Sequence, residues 1–342
     1  KYWIPVFNIL EKSCKICSAH PKYVKAIRGK KTDKKDAQWI ADLFKHDLVA
    51  SSFIPPLKIR QLRAPFRYRM KLTQLQVSEK NRYQNCLTWS NLQIVSVVSD
   101  VFKKSAQAII QSILDNPEDK SNIEQLVHKR MKNKVQDLEI TIEGDVTPEQ
   151  AEKIRIIKEH YDALAVSKED LETMIRKLGQ EYQEQVKLIQ TVPGFKEELS
   201  ALRILSEIGA DMTVFSTAGK LCAWGGLVPA NNESAGKKFS TRISKGGHYL
   251  KPFLVQIANA VVKSEKNPEL RNKYLKLKKR RGHRKAIIAI CRRLLVAIYH
   301  VLLKQESYNP RLQGLTEIRN PDKTMSGQDA VRFAQQHGFN VL

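Results

Sequence analysis

Two stretches of this sequence carry residue types and spacings that could do chemistry on phosphate. In Lys31-Thr32-Asp33-Lys34-Lys35-Asp36-Ala37 two carboxylates stand three apart at a predicted helix start, continuous with an apolar stripe of Ala37, Ile40, Ala41 and Phe44. Both acids are therefore expected to face inward. Aspartates at a helix start serve as caps and dipole partners. Turned inward they need a cation, and Mg2+ held by one or two carboxylates plus phosphate oxygens meets that need. Lys31, Lys34 and Lys35 would lie beside such phosphates.

The second stretch runs Trp224-Gly225-Gly226-Leu227-Val228-Pro229, then Asn231-Asn232-Glu233-Ser234-Ala235-Gly236-Lys237-Lys238, then Arg242-Ile243-Ser244-Lys245-Gly246-Gly247. It sets a serine among glycines and cations. A nucleotide-binding P-loop is excluded, because Asn231 and Lys238 occupy positions that need glycine and a hydroxyl residue. By composition Ser234 is either a loop hydroxyl bonded to phosphate or backbone, or a nucleophile that still needs activation.

Two other patterns bear on binding. Thr191-Val192-Pro193-Gly194-Phe195-Lys196 leads into a helix around Ser200 to Ile208 and resembles a helix-hairpin-helix element, whose free backbone N–H groups hold phosphate. Lys196 stands where such elements carry a second glycine, so a plain turn between packed helices is the alternative. Cys14 and Cys17, with His20, supply three groups at zinc-ligand spacing, but Cys86, Cys222 and Cys291 are scattered and offer no fourth. Packing cysteines are the simpler reading.

The elements that must position these groups follow from composition and periodicity. At 342 residues the chain is long enough for two or three folding units, and its net charge of +24 calls for a polyanionic partner. A membrane-surface role would want an amphipathic helix with aromatic residues opposite lysine, or a lipidation signal, and neither is found. Ala286 to Leu303 approaches membrane-spanning length, but Arg292 and Arg293 at its centre mark a buried core helix. Scattered cysteines point to a reducing, cytoplasmic setting.

Along the chain, Tyr2 to Lys12 predicts a helix, Cys14 to His20 a strand, and Asp33 to His46 a second helix. One strand cannot satisfy its own backbone, so the chain is expected to begin inside an α/β domain whose first strands lie upstream of Lys1. Ser51 to Pro56 reads as a linker and Ile59 to about Ile110 as helix, made basic by Arg60, Arg63, Arg67 and Arg69. Asn116 to Asp145 is polar, and Thr147-Pro148 opens the next helix. From Ile157 to Ile189 positions spaced by four and three form a coiled-coil seam. Pro193-Gly194 ends it, and helices joined by Gly-rich turns run to about Lys304, closing with a basic helix bearing Arg284, Lys285, Arg292 and Arg293. The expected fold is mainly α with an α/β part, in four segments: 1–55, 56–187, 188–305 and a polar tail at 306–342.

Taken together, Lys31 to Ala37, Pro193-Gly194 with Glu207-Ile208-Gly209 and Phe215, Leu227-Val228-Pro229 leading to Ser234-Ala235-Gly236-Lys237, and Ile243 to Gly247 resemble the DEDD transposases of bacterial insertion sequences, the IS110 group. The resemblance implies a RuvC-like, RNase H-type domain with four acids around Mg2+, of which the last two match Asp33 and Asp36. The first two match nothing here, and the chain is expected to begin just after the second. It also implies a helical transposase domain whose serine, matched by Ser234, attacks DNA to form a covalent phosphoserine. Lys237, Lys238, Arg242, Lys245, Arg284 and Lys285 would then bind nucleic acid.

The resemblance further implies a dimeric or tetrameric assembly, for which the 157–189 heptads suit an interface, and target choice guided by a structured noncoding RNA. The expected partners are thus DNA, a guide RNA and further copies of the chain, with no membrane. Two rival readings remain open: a catalytically dead nucleic-acid-binding remnant, and a structure-specific nuclease that uses water and leaves Ser234 idle.

Overall fold

The computed structural model describes residues 3–24, 32–49, 51–116, 123–229 and 232–310. It is mostly helical and divides into two compact units, one built from 61–183 and the other from 1–60 together with 184–342. In chain order the helices are α1 (Trp3–Leu10), α2 (Pro21–Val24), α3 (Asp33–Lys45), α4 (Leu57–Trp89), α5 (Lys104–Asp115), α6 (Ile123–Leu126), α7 (Val135–Thr141), α8 (Pro148–Gly179), α9 (Gln183–Gln190), α10 (Glu198–Ile208), α11 (Ala218–Trp224), α12 (Leu250–Lys263), α13 (Pro268–Arg281) and α14 (His283–Lys304). Two short strands, β1 (Asn232–Ser234) and β2 (Lys237–Ser240), stand between α11 and α12.

In the 61–183 unit, α4 and α8 lie antiparallel. Arg69 Nε donates to Glu172 at 2.8 Å, Lys168 Nζ to Gln76 at 2.7 Å, and Lys153 sits 4.7 Å over the Trp89 ring, so positions rise on one helix as they fall on the other. The heptad residues Ile157, Leu164 and Ile175 are buried. Polar contacts such as Lys168 to Gln76 bind the same stretch of α8 to α4. Part of the expected seam thus faces α4 of the same chain, while its position Leu178 is exposed.

The long helix predicted from Ile59 to Ile110 is interrupted. After Trp89, Asn91 adopts a left-handed φ of 54°, and the amide of wholly buried Leu92 bonds the Leu87 carbonyl at 2.8 Å. Asparagine tolerates that conformation better than most residues, and closing the turn buries an apolar side chain immediately after it. The chain then folds back through α5, α6 and α7, and the supposedly polar 116–145 stretch contributes Leu138 and Ile142 to the core. Burial pushes the Tyr83 phenol up to about 12 in the same core, where Gln107 donates to its oxygen at 3.1 Å.

In the other unit Arg60 fastens the start of α4 to α1, through Asn8 Oδ1 at 3.2 Å, Glu11 and the face of Phe7. The predicted strand at 14–20 is reduced to an isolated bridge between Ala19 and Ser51, with the Ser52 amide on the Ser18 carbonyl at 2.6 Å. Among the described residues no sheet covers α3, so its apolar stripe is open: Ile40 and Phe44 are exposed and no α3 residue is buried. The inward orientation expected for Asp33 and Asp36 is corrected accordingly, with Asp33 exposed and Asp36 half-buried.

The core of this unit is α14, whose 22 residues bury Ile287, Ile290, Leu294, Leu295 and Ile298 among α11, α12 and α13. It is long and apolar enough to cross a membrane, yet most of it is buried inside the protein. A second apolar cluster joins Phe53 to Phe215 and Trp224, with ring centroids 5.0 and 5.6 Å from Phe53. Tyr299 donates to the Phe215 carbonyl at 3.0 Å beside it.

One close approach tests the 61–183 unit. A Cβ on Gly144 would stand 2.0 Å from the Ser90 carbonyl oxygen, and backbone cannot yield as a side chain would. Gly144→Ala is expected to cost about 1–3 kcal/mol and to lower the urea midpoint of this unit; an unchanged midpoint would refute the packing described.

Candidate active site

The sequence leads one to expect Gly-rich turns between helices from 224 to 247; the structure builds a β-hairpin there. Ser234 ends β1 and pairs with Lys237, which opens β2, and Glu233 pairs with Lys238. Both central turn residues, Ala235 at φ 48° and Gly236 at φ 74°, are left-handed. This primed-turn pattern matches the natural twist of a two-residue hairpin. Gly236 adopts it freely, whereas an alanine there is strained by roughly 1–2 kcal/mol. The strain sits on the residue next to Ser234.

The base of the hairpin is closed by backbone against backbone. Gly226 and Gly247 both have positive φ, at 68° and 69°. A Cβ on Gly226 would meet the Gly246 carbonyl oxygen at 2.4 Å, and one on Gly247 would meet the Gly225 oxygen at 2.1 Å. The two Gly-Gly pairs therefore interlock. Above them Pro229 bridges Ile243, and below them the Lys251 amide bonds the Gly247 carbonyl at 2.8 Å as α12 begins. Lys251 Nζ donates to the Ser244 carbonyl at 2.7 Å, and burial holds its ammonium below the ordinary lysine range.

Cations surround this projection. Lys237, Arg242 and Lys245 are exposed, and the backbones of Ser234 and Lys238 are described although their side chains lie outside the described set. Between the pairs Asn232–Ser240 and Glu233–Lys238 the ladder shifts, leaving Phe239 as an extra residue on β2 with 67% of its surface exposed. A bulge re-aims a side chain, and an exposed ring among lysines is suited to stack on a base. Sequence reading passed over Phe239; its signal was a lone aromatic residue between Lys238 and Arg242.

The two carboxylates stand on a different element, at the start of α3. Thr32 caps the helix by accepting the Lys35 amide at 3.4 Å, leaving Asp33 and Asp36 in the first turn beside Lys34 and Lys35, both exposed. Lys31 lies outside the described residues. No ion pair or hydrogen bond joins Asp33 to Lys237 or Arg242 among the described residues, and no group of three His, Cys, Asp or Glu side chains gathers at metal-binding spacing. Cys14 is exposed and directs its thiol to the Leu10 carbonyl at 3.5 Å, with Cys17 half-buried. The α3 pair nonetheless fits Mg2+ in kind, as two oxygen donors a helical turn apart that leave room for water and phosphate.

The Pro193-Gly194 turn also has a packing explanation. At φ 90° a Cβ on Gly194 would strike the Ile257 and Val261 side chains at 2.5 and 2.7 Å, so glycine is demanded by contact with α12. A further basic surface, which the sequence reading understated, is the end of α13. Lys278, Lys279, Arg280 and Arg281 are exposed there, directly before the expected binding residues Arg284 and Lys285, which are exposed as well.

Fold and site thus define a mainly helical protein with a clamped, cation-flanked hairpin and a basic helix end. Residues 186–275 match the Transposase IS116/IS110/IS902 family, and residues 1–91 match the DEDD transposase family of IS110. Both segments are thus similar to IS110-family transposases. Over 123 residues it is 32% identical to the transposase for insertion sequence element IS1111A of Coxiella burnetii (strain RSA 493 / Nine Mile phase I), which covers 35% of this chain and 33% of that protein.

The clamp and the strained turn give opposite expectations. Gly247→Ala should lower thermal stability, because the base of the hairpin cannot close. Ala235→Gly should raise stability by about 0.5–1 kcal/mol, the relieved strain less the added chain entropy. A calorimetric scan that ranks the two variants the other way would overturn this account of the hairpin.

Proposed function

We propose that the chain is a DNA transposase of an insertion sequence that cuts and rejoins strands through a covalent phosphoserine at Ser234. The observation that carries this reading is the position of Ser234, last in β1, before a strained turn, opposite Lys237 and on a base held by interlocked glycines. Such a base limits the positional freedom of a nucleophile, which is where much of the rate of a displacement comes from.

In this mechanism the Ser234 oxygen forms a bond to phosphorus, loses its proton, and the bond to the deoxyribose 3′ oxygen breaks, that oxygen taking up a proton. One phosphodiester is exchanged for another, so resealing needs no outside energy source. Lys237, Lys238, Arg242 and Lys245 bind the phosphates on either side, with Arg284 and Lys285 farther along the strand. Asp33 and Asp36 would hold Mg2+, which when bound supplies positive charge to the phosphate oxygens. We read the segment bearing them as part of a RuvC-like domain; it lies within the stretch that matches the DEDD transposase family of IS110. Lys34 and Lys35 would keep the DNA backbone against it.

The overall charge of +24 suits guidance by a structured RNA that the protein holds by its backbone. The active assembly is read as a homo-oligomer in which acids and serine meet across subunits, an arrangement compatible with their standing on separate elements here.

The protein is tested by mixing it with Mg2+ and DNA spanning an element end and running a denaturing gel. A protease-sensitive protein–DNA band that disappears in Ser234→Ala, and that falls roughly 100-fold or more in Asp36→Asn, is expected. Cleaved DNA with no adduct would assign the attack to water and make the protein a nuclease. Binding without either product would leave it a binding protein only.

A further inference from the structure

Between α13, α14 and residues 305–309 lies a groove of about 710 Å3, away from the hairpin in sequence and built from different elements. Its positive groups are Lys273, Arg292, Arg293 and Lys304, with His300 beside them, and Glu306 is the only carboxylate among its described lining residues. Its floor is apolar, formed by Leu277, Val296 and Val301. Tyr308 forms one wall.

These features are hard to explain as core packing. α14 is a core helix, yet two adjacent arginines interrupt it, and both border this groove, Arg292 exposed and Arg293 half-buried. Lys273 faces them from α13, and desolvation together with the Arg293 charge holds its ammonium below the ordinary lysine range. Four cations against Glu306 in the lining, with Glu269 near Tyr308, leave the groove with an excess of positive charge that suits an anionic ligand.

The wall is fixed in place. Gln305, left-handed at φ 55°, ends α14 and turns the chain back, and the Tyr308 amide bonds Thr191 Oγ1 at 2.9 Å. Burial, with Glu269 nearby, pushes the Tyr308 phenol up, so it stays neutral and presents a ring and a hydroxyl.

We propose that this groove binds a segment of single-stranded nucleic acid, its phosphates on Lys273, Arg292, Arg293 and Lys304 and a base against Tyr308 and the apolar floor. Its volume falls within the range of pockets that enclose a small molecule, enough for a nucleotide or two and too little for a duplex. A flat basic patch would track a double helix by charge alone; a concave one with an aromatic wall and apolar floor selects an unstacked base. The inference rests on the reading of the chain as a nucleic-acid protein and not on the serine chemistry.

The test is made in Ser234→Ala protein, so that no covalent capture contributes. Fluorescence anisotropy is recorded with a short labelled oligothymidylate and with a duplex of equal length across a salt series. Lys273→Gln with Lys304→Gln is expected to lower the slope of log affinity against log salt by about 0.7 per lysine for the single strand. Tyr308→Leu is expected to weaken the single strand by roughly five- to a hundredfold, with duplex binding changed less than about twofold. Equal losses for strand and duplex would reduce the groove to general charge, and unchanged single-strand binding would overturn the proposal. Lys304→Gln alone, at an exposed position, serves if the double variant melts early. Failure of these shifts leaves the Ser234 adduct assay untouched, and failure of that assay leaves these shifts intact.

Discussion

The interlock of Gly225-Gly226 with Gly246-Gly247 is the constraint on which the hairpin depends. A backbone carbonyl at 2.1 to 2.4 Å from where a Cβ would stand leaves no room for any other residue without moving the chain. Two of these glycines also need positive φ, so their requirement is doubly determined, by conformation and by space. The consequence reaches the Ser234 end of the hairpin. A four-residue and a three-residue strand have little stability alone, and what holds them is the closed base, the Pro229–Ile243 bridge and the Lys251 bond to Ser244.

That base in turn stands on α14. Gly225 lies within contact distance of Leu250 and Leu295, so the same helix that forms the core of the unit sets the level of the hairpin. α14 then performs two tasks with two faces. Ile290, Leu294 and Leu295 are buried, while Arg292 and Arg293 emerge toward α13. An amphipathic helix usually gives its polar face to solvent; here that face lines a groove shared with the basic helix α13, with Arg292 exposed and Arg293 half-buried, which concentrates charge that the composition alone would spread.

Much of this was legible in the sequence, because helix caps and breakers act locally. Thr32 before Asp33, and Thr147 before Pro148, open helices where the residues say they should. The arginines inside the most apolar stretch identified a core helix. What was not legible depended on tertiary partners. The heptads from Ile157 predict a seam but not whose helix fills it, and α4 of the same chain contacts it. The helix stop at Asn91 is driven by burial of Leu92, which no local propensity reports. The hairpin was missed because Ala235-Gly236 is a weak turn signal beside Asn-Gly or Asp-Gly; its strongest determinant is a contact between glycine pairs about twenty residues apart.

The site residues divide in the same way. Ser234 was singled out by resemblance, and the fold places its backbone at the end of β1, before the strained turn. For Asp33 and Asp36 the fold changes the chemistry to be expected. Exposed or half-buried carboxylates on a capped helix keep their water and hold a divalent ion weakly, since Mg2+ dehydrates reluctantly and seeks several oxygens at once. Phosphate oxygens would complete the set. Under the proposed mechanism, metal and DNA therefore bind as one event, each raising the affinity for the other by the same factor. The lysines beside the acids favour that order, because Lys34 and Lys35 repel a free cation and attract the strand that brings the missing oxygens.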